Sequence, residues 1–463
     1  MGSEVYEIKL AGSPSLLPPL MPTMTHPQPS YKKSFSMHTQ EKTIHTKLAW
    51  VVVLTAALFF FYEFIQMHIF NTINLPLRET YKLDAVQLGQ FFSMYFYANF
   101  LCLFFAGNLL DRFSTKKMLS FAISLCTLGT FFFSIATVYW VAATGRFMVG
   151  AGASFCFLSC IRLASRWFPP RRMAFVTGVV VTMAMLGGLV AQTPFAMLTA
   201  YLGSWRQALL FNTGLGVVIL LATLFLVQDR PPDAQELAKS DKQQLIELGL
   251  WRCIKLAILN PQNWFGGIYT ALINLPVFVL GGLWGILYLT KVHHISDTQA
   301  AFATTLFFVG VIFGCLIYGW ISDYIQRRVL PMTIGAILSL AVMLFMMYSS
   351  DLSFFSLTIL FFLIGLVTSS QVLTYPTIAE LNPIYITSTA VSIDSLCIMA
   401  SGFIIPPFFG WLMEASGKHQ VVNGVSIYSV QDFNHAMLIM PIAFIVALII
   451  TFFMRETYCQ SQA

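Results

Sequence analysis

Three ionisable side chains stand inside long apolar runs of this 463-residue chain: Glu63 in FFFYEFIQMHIFNTIN, Arg146 in YWVAATGRFMVGAG and Asp394 in STAVSIDSLCIMASG. A charge within a stretch long enough to cross a bilayer is costly, so each is a functional candidate by default. Two chemistries suit them. A guanidinium recognises a carboxylate through paired, charge-assisted hydrogen bonds, and an acid at membrane depth can take up and release a proton as water access alternates. Around Glu63, the residues Gln66, Phe70, Asn71 and Asn74 recur at helical spacing and share one face, polar amid apolar surroundings. Glu63 and Arg146 fall at similar depth, so the expectation is that they pair or share a substrate site. Asp394 is the leading candidate for proton coupling, with Glu63 the second.

The elements that must position these groups follow from composition. The chain is 57% hydrophobic and 10% charged, against about 25% charged in soluble domains, which marks a membrane protein. Runs of the length needed to cross about 30 Å of hydrocarbon fall near 49–73, 87–110, 118–138, 141–164, 174–197, 207–227, 264–289, 301–322, 330–349, 354–377, 387–412 and 436–454. That predicts an all-α membrane protein of twelve transmembrane helices in two six-helix halves. With the N-terminus inside, 20 Lys and Arg lie on the cytoplasmic side and five (Arg78, Lys82, Arg206, Lys291, Lys418) on the outer side. The positive-inside rule then puts both termini in the cytoplasm.

Organisation follows the same pattern. Residues 1–45, rich in Pro, Ser, Thr and His, read as a disordered cytoplasmic tail in which Met21, Met24 or Met37 could be the true start. Residues 46–228 form the first half, 229–263 a linker with an interfacial helix, 264–455 the second half and 456–463 a short tail. In the second half Asn274 and Tyr288 of the seventh helix, and Gln371 and Tyr375 of the tenth, are the polar groups expected to line a cavity.

Two charged clusters recur at equivalent places. GNLLDRFSTKK carries Gly107, Asp111, Arg112, Lys116 and Lys117; GWISDYIQRR carries Gly319, Asp323, Arg327 and Arg328. Both fall between the second and third helix of a half, where an internal duplication places them. This pattern resembles the loop signature of the major facilitator superfamily: Gly, three residues, Asp-Arg, one residue, Gly, one residue, two bases. Ser114 replaces the second Gly in the first copy, and Tyr324 and Gln326 replace Arg and Gly in the second. GRFMVG at 145–150 and GSWRQALLFNTGLG at 203–216 are similar to other motifs of the family, so the resemblance runs from about 48 to 455. It implies the major facilitator fold, pseudo-symmetric halves and alternating access. It also implies a gating role for both clusters: Asp111 near the start of helix eleven at Thr387, and Asp323 near the start of helix five at Met173, where a helix dipole favours a carboxylate.

No Gly-rich phosphate loop is present, so the expectation is a carrier driven by a gradient, without cofactor. The adjacent His293 and His294, the same-face Cys156 and Cys160 and the eight scattered cysteines match no metal or disulfide spacing. No nucleophile sits in a catalytic setting, so no enzyme is expected. The basic residues are taken up by membrane topology, leaving no nucleic-acid partner; the expected partners are a small-molecule substrate, protons and the lipid bilayer, with the chain a monomer. TGVVVTMAMLGGLVAQTP lacks the Gly-Pro pair of family antiporters, and FYEFIQM resembles metabolite permeases of bacteria. Both favour proton-coupled uptake of a small polar or carboxylate-bearing metabolite in a bacterial inner membrane. The alternatives are a proton-driven exporter of a drug or siderophore, and a nutrient sensor that no longer transports. The paired clusters yield a first prediction. Asp111→Asn removes a carboxylate whose interaction with a helix terminus is worth about 0.3–2 kcal/mol, and so slows transport with membrane insertion intact; normal uptake rates at normal expression would contradict it.

Overall fold

The structure is a computed structural model that describes residues 46–168, 173–230, 250–349, 352–382, 387–416, 420–422 and 425–460. The first half comprises α1 (Thr46–Tyr81), α2 (Ala85–Arg112), α3 (Thr115–Ile135), α4 (Tyr139–Ala153), α5 (Cys156–Trp167), α6 (Met173–Val190), α7 (Thr193–Leu202) and α8 (Trp205–Leu226). The second comprises α9 (Leu250–Leu259), α10 (Pro261–Ile273), a π-helix (Val277–Trp284), α11 (Gly285–Val292), α12 (Asp297–Ile325), α13 (Val329–Tyr348), α14 (Phe354–Thr368), a 3-10 turn (Ser369–Leu373), α15 (Thr374–Glu380), α16 (Thr387–Ala415), α17 (Val430–Met437) and α18 (Ile439–Thr451). A two-stranded hairpin, β1 (Gln420–Val422) against β2 (Val425–Ile427), precedes α17 and was not expected. Among the described residues ten helices or unbroken helix runs are long and apolar enough to span a membrane, and the bent pair α6–α7 adds an eleventh. The 28-residue α2, several of whose side chains lie outside the described residues, stands beside them.

Several expected spans are broken. The fourth divides at Ser154 and Phe155 into α4 and α5, and the fifth bends by 40° at Gln192. The seventh runs from Pro261 to Val292 with the π-helix in its middle. The first is longer than the 49–73 read from hydropathy. It continues to Tyr81 through a distortion at Ile73 and an internal Pro76, the ring that removes a helical N–H and kinks the helix. Hydropathy windows see apolarity and not backbone breaks, which explains why the apolar runs were legible and the breaks within them were not.

One end of the bundle carries the start of α1 and the bases Lys116, Lys117, Arg328 and Arg455; it is called the basic end, and the opposite one the far end. At the basic end each half closes on itself by the same device. Asp229, just after α8, accepts from the Lys116 N–H at 2.7 Å and from Ser114 Oγ, capping the start of α3. Glu456, just after α18, accepts from the Arg328 N–H at 2.6 Å and the Val329 N–H at 3.0 Å, capping the start of α13. A carboxylate at a helix N-terminus satisfies otherwise orphaned donors and the helix dipole together. The acid after the sixth span of each half therefore ties down the third.

The halves meet at the far end. Helix α2 crosses α16 so closely that a Cβ on Gly89 would stand 2.5 Å from the Pro406 carbonyl oxygen, and one on Gly410 2.3 Å from that of Ala85. Thr193 and Thr305 share a hydrogen bond of 2.7 Å between α7 and α12. The Arg78 guanidinium covers the Tyr428 ring at 4.6 Å, and Tyr428 in turn accepts from the Ala85 N–H at 2.6 Å and donates to Glu414. At Gly178 of α6, towards the basic end, an added Cβ would meet nothing within 4 Å. This contrast is testable. Gly89→Ala should lower the stability of the purified protein by about 1–3 kcal/mol, the usual cost of overpacking. Gly178→Ala should leave thermal unfolding within about 0.5 kcal/mol of the parent; equal effects would contradict the far-end contact.

Candidate functional site

Helix α1 spans 36 residues, and Glu63 lies at its midpoint, 18 residues before Tyr81. It sits deeper than hydropathy placed it, because the helix runs on beyond residue 73. Glu63, Gln66 and Phe70 form one stripe facing α3 and α4. Arg146, fully buried on α4, donates from Nη1 to the Gln66 carbonyl oxygen at 2.7 Å and lies over the rings of Phe70 and Tyr95 at 4.5 and 5.3 Å. Guanidinium over an aromatic face is a favourable, desolvated contact. Glu63 and Arg146 act on each other electrostatically but are not among the described ion pairs, which join Arg328 to Asp323 and to Glu380. The expected pair is thus a charge neighbourhood without a direct bond.

What remains unbonded is informative. Arg146 leaves Nε and Nη2 without partners, Glu63 leaves Oε2, and Gln66 leaves both amide atoms, all buried. Tyr62 lies beside Gln66 but shares its bond with Thr130 at 3.3 Å. Buried polar atoms in proteins are nearly always paired, so such a cluster calls for an explanation. Donors on Arg146 and Gln66, with an acceptor on Glu63, make a set able to receive an anionic, hydroxylated ligand.

The second-half candidates divide. Asp394, fully buried on α16, faces Thr270 of α10 and Thr374 and Tyr375 of α15. Thr270 and Thr374 bond each other at 2.6 Å and Thr374 also reaches the Gln371 carbonyl at 2.7 Å, while both carboxylate oxygens stay unengaged. Gln371 and Tyr375 are half-buried and belong to this group. Tyr288 does not; its hydroxyl meets His293 at 3.3 Å and its ring packs on Phe433 near the far end. Asn274 caps α10 just before the π-helix.

Of the two loop clusters, the second is visible in full. Arg328 Nη1 donates to Asp323 at 2.7 Å and to Ser322 Oγ at 2.9 Å, and Nη2 to Glu380 at 2.9 Å. Asp323 is thereby engaged within its own half and is 70% exposed, although the family pattern placed it at helix five; the side chain of Met173 lies outside the described residues. Gln326 has φ +53°, the left-handed conformation that favours Gly, which explains the usual Gly there. Its counterpart Ser114 is extended and caps α3 through the Lys117 N–H, so the first copy has no need of Gly. Gly319 has open space around it, and Arg327 bonds Ser322 through its backbone. Gly107, Asp111 and Arg112 fall in the last turns of α2, and their side chains, with that of Thr387, lie outside the described residues.

Sequence reasoning missed His68. It is fully buried, both ring nitrogens lack a partner, and its ring meets Phe308 of α12, in the other half, at 4.8 Å. A His amid the amides of QMHIFNTIN was the available signal. It also assigned no role to Gln192, whose amide is consumed at the α6–α7 bend.

Comparison with known proteins agrees with this architecture. The chain matches the family model described as Major Facilitator Superfamily over residues 52–282 and 267–460. It is 24% identical to a probable sulfoacetate transporter of Cupriavidus necator, over 76% of this chain and 84% of that protein. It is also 24% identical to a probable galactarate/D-glucarate transporter of Escherichia coli, over 75% and 82%, and to a D-galactonate transporter of E. coli, over 58% and 67%. Among solved structures, a bacterial homolog of the human lysosomal transporter Spinster, inward-facing and unoccupied, superposes with a TM-score of 0.69 at 14% identity, covering 88% of this chain and 96% of that one. A D-xylose-proton symporter does so with 0.70 at 12%, covering 89% and 99%. Matched along nearly all of its membrane-spanning length, with both loop clusters at equivalent positions of its halves, this multi-pass membrane protein belongs to the major facilitator superfamily of secondary transporters, which are not enzymes.

Proposed function

We infer that the chain carries out proton-coupled uptake of a small carboxylate-bearing metabolite of the sugar-acid type, as a monomer in a bacterial plasma membrane with both termini in the cytoplasm. The observation that carries this reading is the Arg146 guanidinium, fully buried within the bundle with Nε and Nη2 free of partners beside an equally unpartnered Gln66 amide. A planar, permanently charged donor fork matches a carboxylate. The names of the relatives support the same class, since sulfoacetate, galactonate and glucarate are all organic anions.

In this reading Arg146 and Gln66 hold the carboxylate of the substrate. Glu63 competes for Arg146 when ionised and releases it when protonated, which ties substrate affinity to proton occupancy. Asp394 is the main proton carrier: a buried acid that makes no close hydrogen bond, beside the hydroxyls of Thr270, Thr374 and Tyr375, can take up a proton and release it as those hydroxyls and water approach. Tyr375 and Gln371 shape that second site, and Asn274 and Tyr288 contribute when the seventh span moves. The clusters at 107–117 and 319–328 gate the basic end.

Proteoliposomes test this directly. With an acidic exterior, labelled galactonate, glucarate or sulfoacetate should accumulate in vesicles. Asp394→Asn should abolish accumulation and retain exchange of labelled for unlabelled substrate, because exchange needs no net proton release. Arg146→Lys should cut both by tenfold or more, about 1.4 kcal/mol or above, as expected when a charge-assisted fork is lost. Accumulation of substrate by Asp394→Asn under a pH gradient would sink the coupling assignment; extrusion of cationic drugs with no response to any carboxylate would sink the substrate class.

A further inference from the structure

The π-helix in the seventh span receives side-chain hydrogen bonds on its backbone from the other half. A π-turn shifts the hydrogen-bond pattern by one residue and leaves groups at its ends without intrahelical partners. It is built from VFVLGGLW after Pro276, and Gly285 closes it, where a Cβ would lie 1.9 Å from the Leu280 carbonyl oxygen. At membrane depth no water can take up the orphaned groups, each of which costs several kcal/mol if left bare.

The opposite half bonds this backbone at four groups. Asn71 of α1 donates to the Leu280 carbonyl at 3.0 Å and accepts from the Ile286 N–H at 3.0 Å. Gln192, at the α6–α7 bend, donates to the Gly281 carbonyl at 2.9 Å and accepts from Asn71 at 2.9 Å, which fixes both amides in one orientation. One turn further, Asn74 donates to the Leu283 carbonyl at 2.6 Å. All three side chains are buried. These bonds join the halves, so opening the far end must break them together.

We propose that Asn71, Asn74 and Gln192 form a latch that holds the far end shut by completing the backbone of the π-helix. The latch is cooperative, because Asn71 and Gln192 orient each other, and it is specific for amides, since each of the two must donate and accept at once. Asp in place of Asn71 keeps the acceptor for Ile286 but cannot donate to Leu280, and Leu keeps the volume with neither. Releasing the latch lets the seventh span close its own ladder as an α-helix, so the π-helix belongs to the far-end-closed state alone.

The test uses the full chain in nanodiscs, in a background whose native cysteines are replaced, with spin labels at Tyr201 and Phe355. These exposed positions lie at the far end of the first and second half. Double electron–electron resonance then reads the far-end distance, and hydrogen–deuterium exchange reads the amides of 277–286. Asn71→Leu and Gln192→Leu should each raise the ratio of far-end-open to far-end-closed molecules about tenfold, the effect of two net buried hydrogen bonds, with exchange of 277–286 rising in parallel and that of α13 unchanged. Asn71→Asp should give an intermediate shift, and it serves as the reading if the Leu variants fold poorly. Faster exchange at 277–286 with an unchanged far-end distance would mean local loosening only and would overturn the latch. So would an unchanged distance with unchanged exchange.

Discussion

A polar group inside hydrocarbon has no water to fall back on, and this requirement organises the whole molecule. Uninterrupted helices meet it automatically, yet this chain interrupts several: at Ser154, at Gln192, through the π-helix and at the 3-10 turn 369–373. Where the seventh span breaks, amide side chains from the other half bond its backbone, so the break is also a point at which the halves are joined. Bonds of this kind can be exchanged for others when the halves move, which a continuous apolar seam does not permit.

The same requirement distinguishes the two ends. At the basic end the charges are answered within each half, by Asp229 on the start of α3 and by Glu456, Glu380 and Asp323 around Arg328. At the far end the α2–α16 crossing, the Thr193–Thr305 bond, the Arg78–Tyr428 contact and the Ala85–Tyr428 bond run between the halves. Among the described residues, the far end is thus tied across the halves while the charges of the basic end are held in separate sets. Between them, among the buried polar atoms without a protein partner in the described residues, are those on the ionisable side chains Glu63, Arg146, His68 and Asp394 and on Gln66.

The apolar spans, the repeated charged cluster and the burial of the three ionisable residues were legible because each is written in amino-acid type, whereas the depth of Glu63 was not, since α1 runs on to Tyr81. The repeat even explained its own irregularities, with Gln326 in the left-handed conformation and Ser114 redeployed as a cap. Backbone breaks were not legible, since VFVLGGLW is as apolar as any spanning segment and nothing in it announces a π-helix. Partners were not legible either. Asn71 and Asn74 were expected on one helical face with Glu63 and Gln66, but they bond the seventh span of the other half, while Gln66 meets Arg146 of α4. Which neighbours a face meets depends on packing between segments hundreds of residues apart, and a single sequence carries no direct mark of it.

The central claim is that the unpartnered groups around Arg146 form a binding site for an organic anion, and equilibrium binding tests it without depending on coupling, direction or orientation in the membrane. Isothermal titration of the detergent-purified chain with galactonate, glucarate and sulfoacetate should show one site for at least one of them, lost in Arg146→Ala and unmatched by the corresponding neutral sugar alcohol. Equal binding of the neutral analogue, or anion binding that survives Arg146→Ala unchanged, would contradict it.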